Sequence, residues 1–274
     1  MNYRHIYHAG NFADIFKHLI LSMTLDYLQN KEKGAFVLDA FAGCGLYALN
    51  SEQAQKTQEY SEGVGAFMNI GFSNPDLAAF QAILKPYWND NTYPGSPLLI
   101  ADKLRDQDRL LANELHPDDL QVLKATLKGF KNVRTLHMDA YESIRGNIPP
   151  AERRGLVLID PPFERKDEFQ VLARQMEEWI KRWATGCYMI WYPIKAESSM
   201  HEIFDAAMEL ENAHRIWVSE FLLHPRNRRD SFNGCGVMMI NTPYSIPERA
   251  EALSSSLCSA LQGYSIESQW LKEE

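Results

Sequence analysis

Gly155-Leu156-Val157-Leu158-Ile159-Asp160-Pro161-Pro162-Phe163 is the stretch that decides the fold. Its first five residues form an uncharged, β-branched and leucine-rich run, which reads as a strand buried on both faces, as in a parallel sheet. The run ends abruptly at an acid. Two prolines follow; they fix φ and remove two backbone N–H donors, so the turn is stiff and its carbonyls stay available as acceptors. A phenyl ring closes the motif and offers a flat face for a heterocyclic base. Acid, rigid carbonyls and ring therefore sit at a strand's carboxyl end, where open α/β sheets bind ligands. Asp-Pro-Pro alone is a frequent turn sequence, so its meaning depends on what accompanies it.

A second motif stands upstream. Ala35-Phe36-Val37-Leu38 reads as a strand and runs into Asp39-Ala40-Phe41-Ala42-Gly43-Cys44-Gly45. Glycines in such a bend adopt positive φ and let the backbone approach a ligand closely. Asp39, Gly43 and Gly45 are therefore candidate ligand contacts. The third glycine of Gly-x-Gly-x-x-Gly is missing, which argues against a dinucleotide-dependent oxidoreductase.

Between and beyond these motifs the period alternates. Residues 11–29 read as an amphipathic helix with Asn11 as its N-cap and Asp14 in its first turn. Strands are expected near 35–39, 109–114, 133–136, 155–159, 187–192, 214–222 and 235–241, with helical patterns between most of them. Ser96-Pro97 and His116-Pro117 read as helix starts, cap then proline. This rhythm implies a mostly parallel, doubly wound sheet. The loop between the last two strands is too short for a helical crossover, so that pair should be antiparallel. The tail, 246–270, reads as a helix and an edge strand. Positions 51–93 break the rhythm and read as an inserted helical subdomain, serving either to grip a large substrate or only as a structural flap. Discounting them brings Glu114 to the place, roughly 20 residues past the glycine bend, where such folds hold ribose hydroxyls with an acid.

The 274 residues are 45% hydrophobic and 23% charged, enough for one sizeable core with an insertion. No apolar run approaches membrane-spanning length and the start lacks an apolar signal segment, so a cytoplasmic location is expected. Cys44, Cys187, Cys235 and Cys258 are too scattered for a zinc site or a disulfide framework, and no metal is expected. The net charge of −8 counts against a nucleic-acid partner. Three local basic runs point the other way: Arg153-Arg154, Arg165-Lys166, and Arg226 with Arg228 and Arg229. Their placement beside strand ends suggests a rim of phosphate contacts.

Asp-Pro-Pro followed by an aromatic residue resembles the pattern of amino-group methyltransferases acting on adenine or a similar exocyclic amine. The whole set is more specific. Tyr3-Arg4-His5, His8-Ala9-Gly10-Asn11, Asp14, Lys17-His18, Tyr93-Pro94-Gly95-Ser96-Pro97, Glu114-Leu115-His116-Pro117, Arg153-Arg154-Gly155, Asp160-Pro161-Pro162-Phe163 and Trp191-Tyr192-Pro193 together resemble the RlmJ (YhiR) family over essentially the full length. That resemblance implies one Rossmann-like class I methyltransferase domain over 1–274. It implies a seven-stranded, mostly parallel sheet with an antiparallel last strand. It implies N6-methylation of an adenine in large-subunit ribosomal RNA, protein-free or early in assembly, using S-adenosyl-L-methionine.

It further implies cofactor contacts from Lys17, His18, Ser96, Glu114, Asp139 with Ala140, and Asp160. Asp160, Pro161, Pro162 and Phe163 would form the catalytic turn, with Tyr3, Arg4 and Phe163 facing the RNA. Phe163 stands where a close relative has tyrosine, and Phe41 replaces a histidine. Members have also been linked to competence and the use of external DNA as a nutrient. A DNA adenine methyltransferase and a catalytically silent nucleic-acid-binding protein are the competing readings. A simpler alternative for Lys17-His18 is a pair of cations closing the first helix.

Overall fold

A computed structural model describes residues 4–196, 199–229 and 232–273. In chain order the strands are β1 (Phe36–Asp39), β2 (Leu46–Ala48), β3 (Thr92–Pro94), β4 (Arg109–Asn113), β5 (Val133–Leu136), β6 (Gly155–Ile159), β7 (Cys187–Lys195), β8 (Ile216–Leu222), β9 (Phe232–Ile240) and β10 (Ser265–Lys272). The helices are α1 (Phe12–Gln29), α2 (Glu52–Thr57), α3 (Ala66–Met68), α4 (Pro75–Asn89), α5 (Ser96–Lys103), α6 (Pro117–Thr126), α7 (Ala140–Asn147), α8 (Glu168–Arg182), α9 (Met200–Met208) and α10 (Ile246–Ala260).

The main sheet runs β10-β8-β9-β7-β6-β1-β4-β5. It has eight strands where seven were expected, because the tail edge strand joins it as β10. The expected antiparallel strand, β9, is also not last in space, and β10 at the edge runs antiparallel as well. β9 lies between β7 and β8 and runs against both, so β8 is parallel to β7. The centre is parallel throughout, β6 and β4 flanking β1 and β5 beyond β4. This geometry brings the segments after β6, β1, β4 and β5 to one edge, at the crevice where such sheets bind ligands.

Side chains alternate across the sheet, as the pleat requires. Val37, Leu156 and Leu158 pack with α1, α5 and α10 in one core. Phe36, Leu38, Val157 and Ile159 pack on the other face with α7, α8 and α9. The helix expected at 11–29 is α1, and Asn11 caps it by accepting from the Asp14 N–H at 3.0 Å. It is not a surface amphipath: nearly every residue is buried, including Asp14, Lys17 and His18. Its polar stripe faces the cleft rather than bulk water. Lys17 and His18 lie in its middle, which removes the helix-closing alternative.

The segment 51–93 leaves and returns through the β2–β3 ribbon. It carries α2, a π-helical turn (Ser61–Gly65), α3 and α4. The turn docks on the loop before α1, with the Val64 N–H donating to the Gly10 carbonyl at 2.8 Å. Glu59 binds the same loop, accepting from Asn11 Nδ2 at 3.0 Å and lying 2.9 Å from His8 Nδ1. Gly63 has no room for a side chain: a Cβ would lie 2.1 Å from the Gly10 oxygen. Gly63→Ala should therefore force the two segments apart. The expected cost is about 1–3 kcal/mol, as for overpacking generally. An unchanged calorimetric midpoint would show that this docking contributes nothing to stability.

Candidate active site

Asp160 is the first residue beyond β6, half-buried at the sheet's edge. Its Oδ2 accepts from Lys17 Nζ at 2.5 Å, and the same ammonium donates to Asp14 Oδ1 at 2.9 Å. Asp14 and Lys17 are three residues apart on α1, the spacing that puts side chains on one helix face. The other Asp14 oxygen accepts the Gly10 N–H at 2.9 Å and lies 3.0 Å from His5 Nε2. Burial pulls the Lys17 ammonium down, but the two carboxylates outweigh it and hold its pKa above the ordinary value. Burial pushes the Asp14 carboxyl up; His5 and Lys17 overcome this and hold it well below the usual carboxylate range. The result is a buried carboxylate–ammonium–carboxylate row ending at the cleft.

His18 is 1% exposed. Its Nδ1 is 2.8 Å from the Tyr93 hydroxyl and the two rings stack. Its Nε2 has no hydrogen-bond partner among the described residues. Burial, reinforced by Lys17, holds the imidazole well below its ordinary pKa of 6.5, so it is neutral in the fold. The sign follows directly. The unfolded chain binds a proton at His18 below pH 6.5 and the folded chain does not, so this contribution is intact above 6.5 and lost as pH falls. The expected loss is up to about 1.4 kcal/mol per pH unit below that point. Denaturant melts at pH 7.5 and 5.5 should show a steeper decline for wild type than for His18→Gln; parallel declines would contradict the assignment.

At the tip of β1, Asp39 is fully buried, and burial raises its carboxyl pKa to about 7. The Ser96 hydroxyl donates to its Oδ2 at 2.6 Å, while Oδ1 has no partner among the described residues. Ser96 was expected to cap a helix. The cap is instead Gly95, one residue earlier, which leaves the Ser96 hydroxyl for Asp39. Gly43 has φ +62°, and a Cβ there would lie 2.2 Å from the Tyr47 hydroxyl. Its N–H donates to Glu114 Oε2 at 2.8 Å, and the His116 N–H donates to Oε1 at 2.6 Å. Burial nevertheless leaves the Glu114 pKa raised. Asp139 caps α7, accepting from the Tyr141 and Glu142 N–H groups, and Ala140 follows it.

Phe163 has φ +49°, an uncommon backbone for a residue with a side chain, which costs on the order of 1–3 kcal/mol. Packing holds it there: its ring meets Phe169 at 4.9 Å and Trp191 edge-on at 5.9 Å.

Lys17, His18, Gly43, Ser96, Glu114, Asp139, Ala140 and Asp160 through Phe163 all line one cleft of about 630 Å³. Asp39 and Gly45 do not. Asp39 lies behind Ser96, and Gly45, at φ +79°, is packed against Leu123 and Thr126 of α6. Arg4 bonds Asp119 at 3.0 Å, and Tyr3 lies outside the described residues. Phe41 packs edge-on against Tyr141. Asp14, Tyr93 and Trp191 are among the lining or supporting residues not singled out as parts of the site from sequence. Asp14 could have been, since Asp-x-x-Lys within one helix is an ion-pair spacing. Tyr93 and Trp191 could not, because their roles exist only through contacts distant in sequence. Among the described residues no group of three or more His, Cys, Asp or Glu could hold a metal ion, and no helix is long and apolar enough to cross a membrane.

A family profile described as "Ribosomal RNA large subunit methyltransferase D, RlmJ" matches residues 32–271. The chain belongs to the RlmJ family. It is accordingly a methyltransferase with a Rossmann-like fold. A protein of Haemophilus influenzae called ribosomal RNA large subunit methyltransferase J is 37% identical over 265 residues, covering 95% of this chain and 94% of that one. Its namesake in Escherichia coli K12 is 34% identical over 252 residues, 91% and 90% of the two chains. A crystal structure of a Legionella pneumophila protein superposes with a TM-score of 0.84 at 30% identity, covering 96% and 97%. RlmJ relatives thus match this chain across the insertion as well as the sheet.

Proposed function

We propose that this RlmJ-family chain methylates N6 of an adenine in large-subunit ribosomal RNA, with S-adenosyl-L-methionine as the donor. One observation carries the reading: the Asp-Pro-Pro-Phe turn and the Gly43–Glu114 bend are walls of a single cleft.

The residues present fit that cofactor. His18 Nε2 is a buried polar atom without a hydrogen-bond partner among the described residues; in the tautomer where the Tyr93 hydroxyl donates into Nδ1, Nε2 carries the ring proton and is a donor. Lys17 and Ser96 stand beside it. Glu114, its two oxygens already oriented by backbone N–H groups, retains lone pairs for vicinal hydroxyls. Asp139 and Ala140 line the same cleft. The cofactor, when bound, supplies an electrophilic methyl group.

The chain's own task is to present the amine. Adenine N6 is a poor nucleophile because its lone pair is delocalised into the ring. In this reading the Asp160 carboxylate and the Pro161 carbonyl accept its two N–H groups, which favours tetrahedral nitrogen and stabilises positive charge developing on it. Lys17 fixes the orientation of Asp160. Phe163, braced by Phe169 and Trp191, offers the face on which an unstacked base rests. Loops and bulges of RNA release such a base at low cost. The proton leaves afterwards to Asp160 or water, so positioning supplies most of the rate.

The test is methyl transfer from labelled cofactor to protein-free large-subunit ribosomal RNA, to assembled subunits and to duplex DNA, followed by nucleoside mass spectrometry. N6-methyladenosine should appear in the protein-free RNA and least in the DNA. Absence of the modified nucleoside from all RNA would end the proposal, and preference for duplex would replace it with a DNA enzyme.

A further inference from the structure

Asp39 was expected to touch a ligand, and the fold sets it one layer back. It ends β1 fully buried, while Ser96, at the start of α5, lines the cleft in front of it. Backbone contacts fix both partners. Gly95, just before Ser96, donates its N–H to the Gly45 carbonyl at 2.8 Å, tying the start of α5 to the glycine bend. Asn113 of β4 donates from Nδ2 to the Ala40 carbonyl at 3.1 Å, holding the chain just after Asp39. A serine hydroxyl has one proton and two lone pairs. Here the proton is committed to Asp39 Oδ2 at 2.6 Å, so Ser96 Oγ presents only lone pairs to the cleft.

The neighbours of Ser96 in the cleft have other chemistry. The Lys17 ammonium is a donor, and so is His18 Nε2 in the tautomer that accepts from Tyr93; both suit a carboxylate. Glu114 suits vicinal hydroxyls. The amino-acid end of the cofactor carries an ammonium beside its carboxylate, and a cation is best met by an acceptor with negative charge behind it. Ser96 is such an acceptor. Donation into a buried carboxylate polarises its hydroxyl and strengthens the hydrogen bond that Oγ accepts in turn.

We propose that Asp39 is a positioning residue that fixes Ser96 Oγ as the acceptor for the α-ammonium of S-adenosyl-L-methionine. The inference rests on the cofactor half of the reading above and does not involve the RNA. The groups facing Asp39 tie this recognition to pH. Burial raises its pKa to about 7, and Asp160 at the tip of β6 adds to the rise; the Ser96 hydroxyl, Lys17 of α1 and the Phe41 N–H draw it down. Once protonated, Asp39 has a proton of its own to give to Oγ. The Ser96 proton then turns to the cleft, where it repels an ammonium. The sign is therefore fixed: the ammonium is held best with Asp39 ionised, and the hold weakens as pH falls through about 7.

The experiment is titration calorimetry on the full chain with two probes, S-adenosylhomocysteine and its analogue lacking the α-amino group. At about pH 7.5 wild type should prefer the amino compound about tenfold or more, the effect of one hydrogen bond to a charged group. In Ser96→Ala that preference should fall to about twofold or less, with affinity for the deaminated probe unchanged. Asp39→Asn is an isosteric amide that still accepts the Ser96 proton but carries no charge, so it should keep a preference of about threefold. Lowering the pH to about 5.5 should cut the wild-type preference by about threefold or more and leave that of Asp39→Asn constant. Groups that titrate with both probes cancel in the ratio, and fuller protonation of the ligand amine at low pH acts in the opposite direction. Equal loss of both probes in Ser96→Ala would overturn the proposal, since it would show a structural role alone. So would a wild-type preference in Ser96→Ala, or an Asp39→Asn preference that tracks wild type at both pH values. Wild type binding both probes alike would overturn the proposal and leave the cofactor reading standing; wild type binding neither would remove both.

Discussion

Asp160→Ala should bind S-adenosyl-L-methionine within about tenfold of wild type yet transfer methyl groups at least 10²–10³-fold more slowly, the scale of removing one preorganised charge-stabilising group. The fold should survive. Asp160 stands at a strand tip, with its side chain 19% exposed, and Lys17 keeps Asp14 as its counter-ion. The loss should appear in kcat rather than in KM for RNA, because the carboxylate acts on charge that develops only during transfer. Asp160→Asn refines the expectation. An amide keeps one acceptor oxygen and removes the negative charge, so it should recover a small part of the rate. Titration calorimetry for the cofactor and single-turnover transfer to RNA measure the two arms separately. Transfer at the wild-type rate by Asp160→Ala would remove Asp160 from the mechanism altogether.

How much of this could be read from the sequence depended on whether a signal was local. The apolar runs before Asp39 and Asp160 defined central parallel strands, because burial on both faces leaves no polar alternation. The order of the two motifs then placed both at one edge. The tail strand β10 was harder to place. Its residues are half-exposed, and its place beside β8 is fixed by register partners more than forty residues away. Ser96 shows another limit. Ser-Pro is a sound cap signal, yet a buried Asp39 one strand away competes for the hydroxyl and wins. Gly45 reads identically to Gly43 in sequence; only the position of α6 turns one toward packing and the other toward the cleft. The basic runs were visible as composition, but that Arg154 was already committed to carbonyls, and Arg165 and Arg226 to carboxylates, was not. The chemistry-bearing turn was legible because prolines and an acid act locally; in the polar row beneath it only the Asp14–Lys17 spacing is local, and its meeting with Asp160 exists only after folding.

That row supports the second large effect. Lys17→Met keeps most of the side chain's volume but leaves Asp14, 1% exposed, with the Gly10 N–H, His5 and, at 4.0 Å, His18. Removing one partner of a buried ion pair costs about 3–5 kcal/mol, since the remaining charge is stranded. For a chain of this size that is a fall of roughly 10 °C in Tm. Methyl transfer should drop on the order of 10²-fold as well, because Asp160 loses the group that orients it. The two losses are separable. Asp14→Asn combined with Lys17→Met removes the stranded charge, so it should regain about half of the lost stability by the coupling of neighbours, with transfer still impaired. The pH dependence carries a definite sign. In wild type the Asp14 pKa is depressed below its ordinary 3.8, so its contribution is present above that value and is lost as pH falls through the depressed one. In Lys17→Met the stabilising cation is gone, and acid that protonates Asp14 relieves the stranded charge. The stability gap between wild type and variant should therefore be widest near neutrality and shrink as pH falls toward 4. A gap that is constant with pH would mean that Lys17 contributes packing alone, and recovery of activity in the double variant would mean that its hold on Asp160 is not needed for transfer.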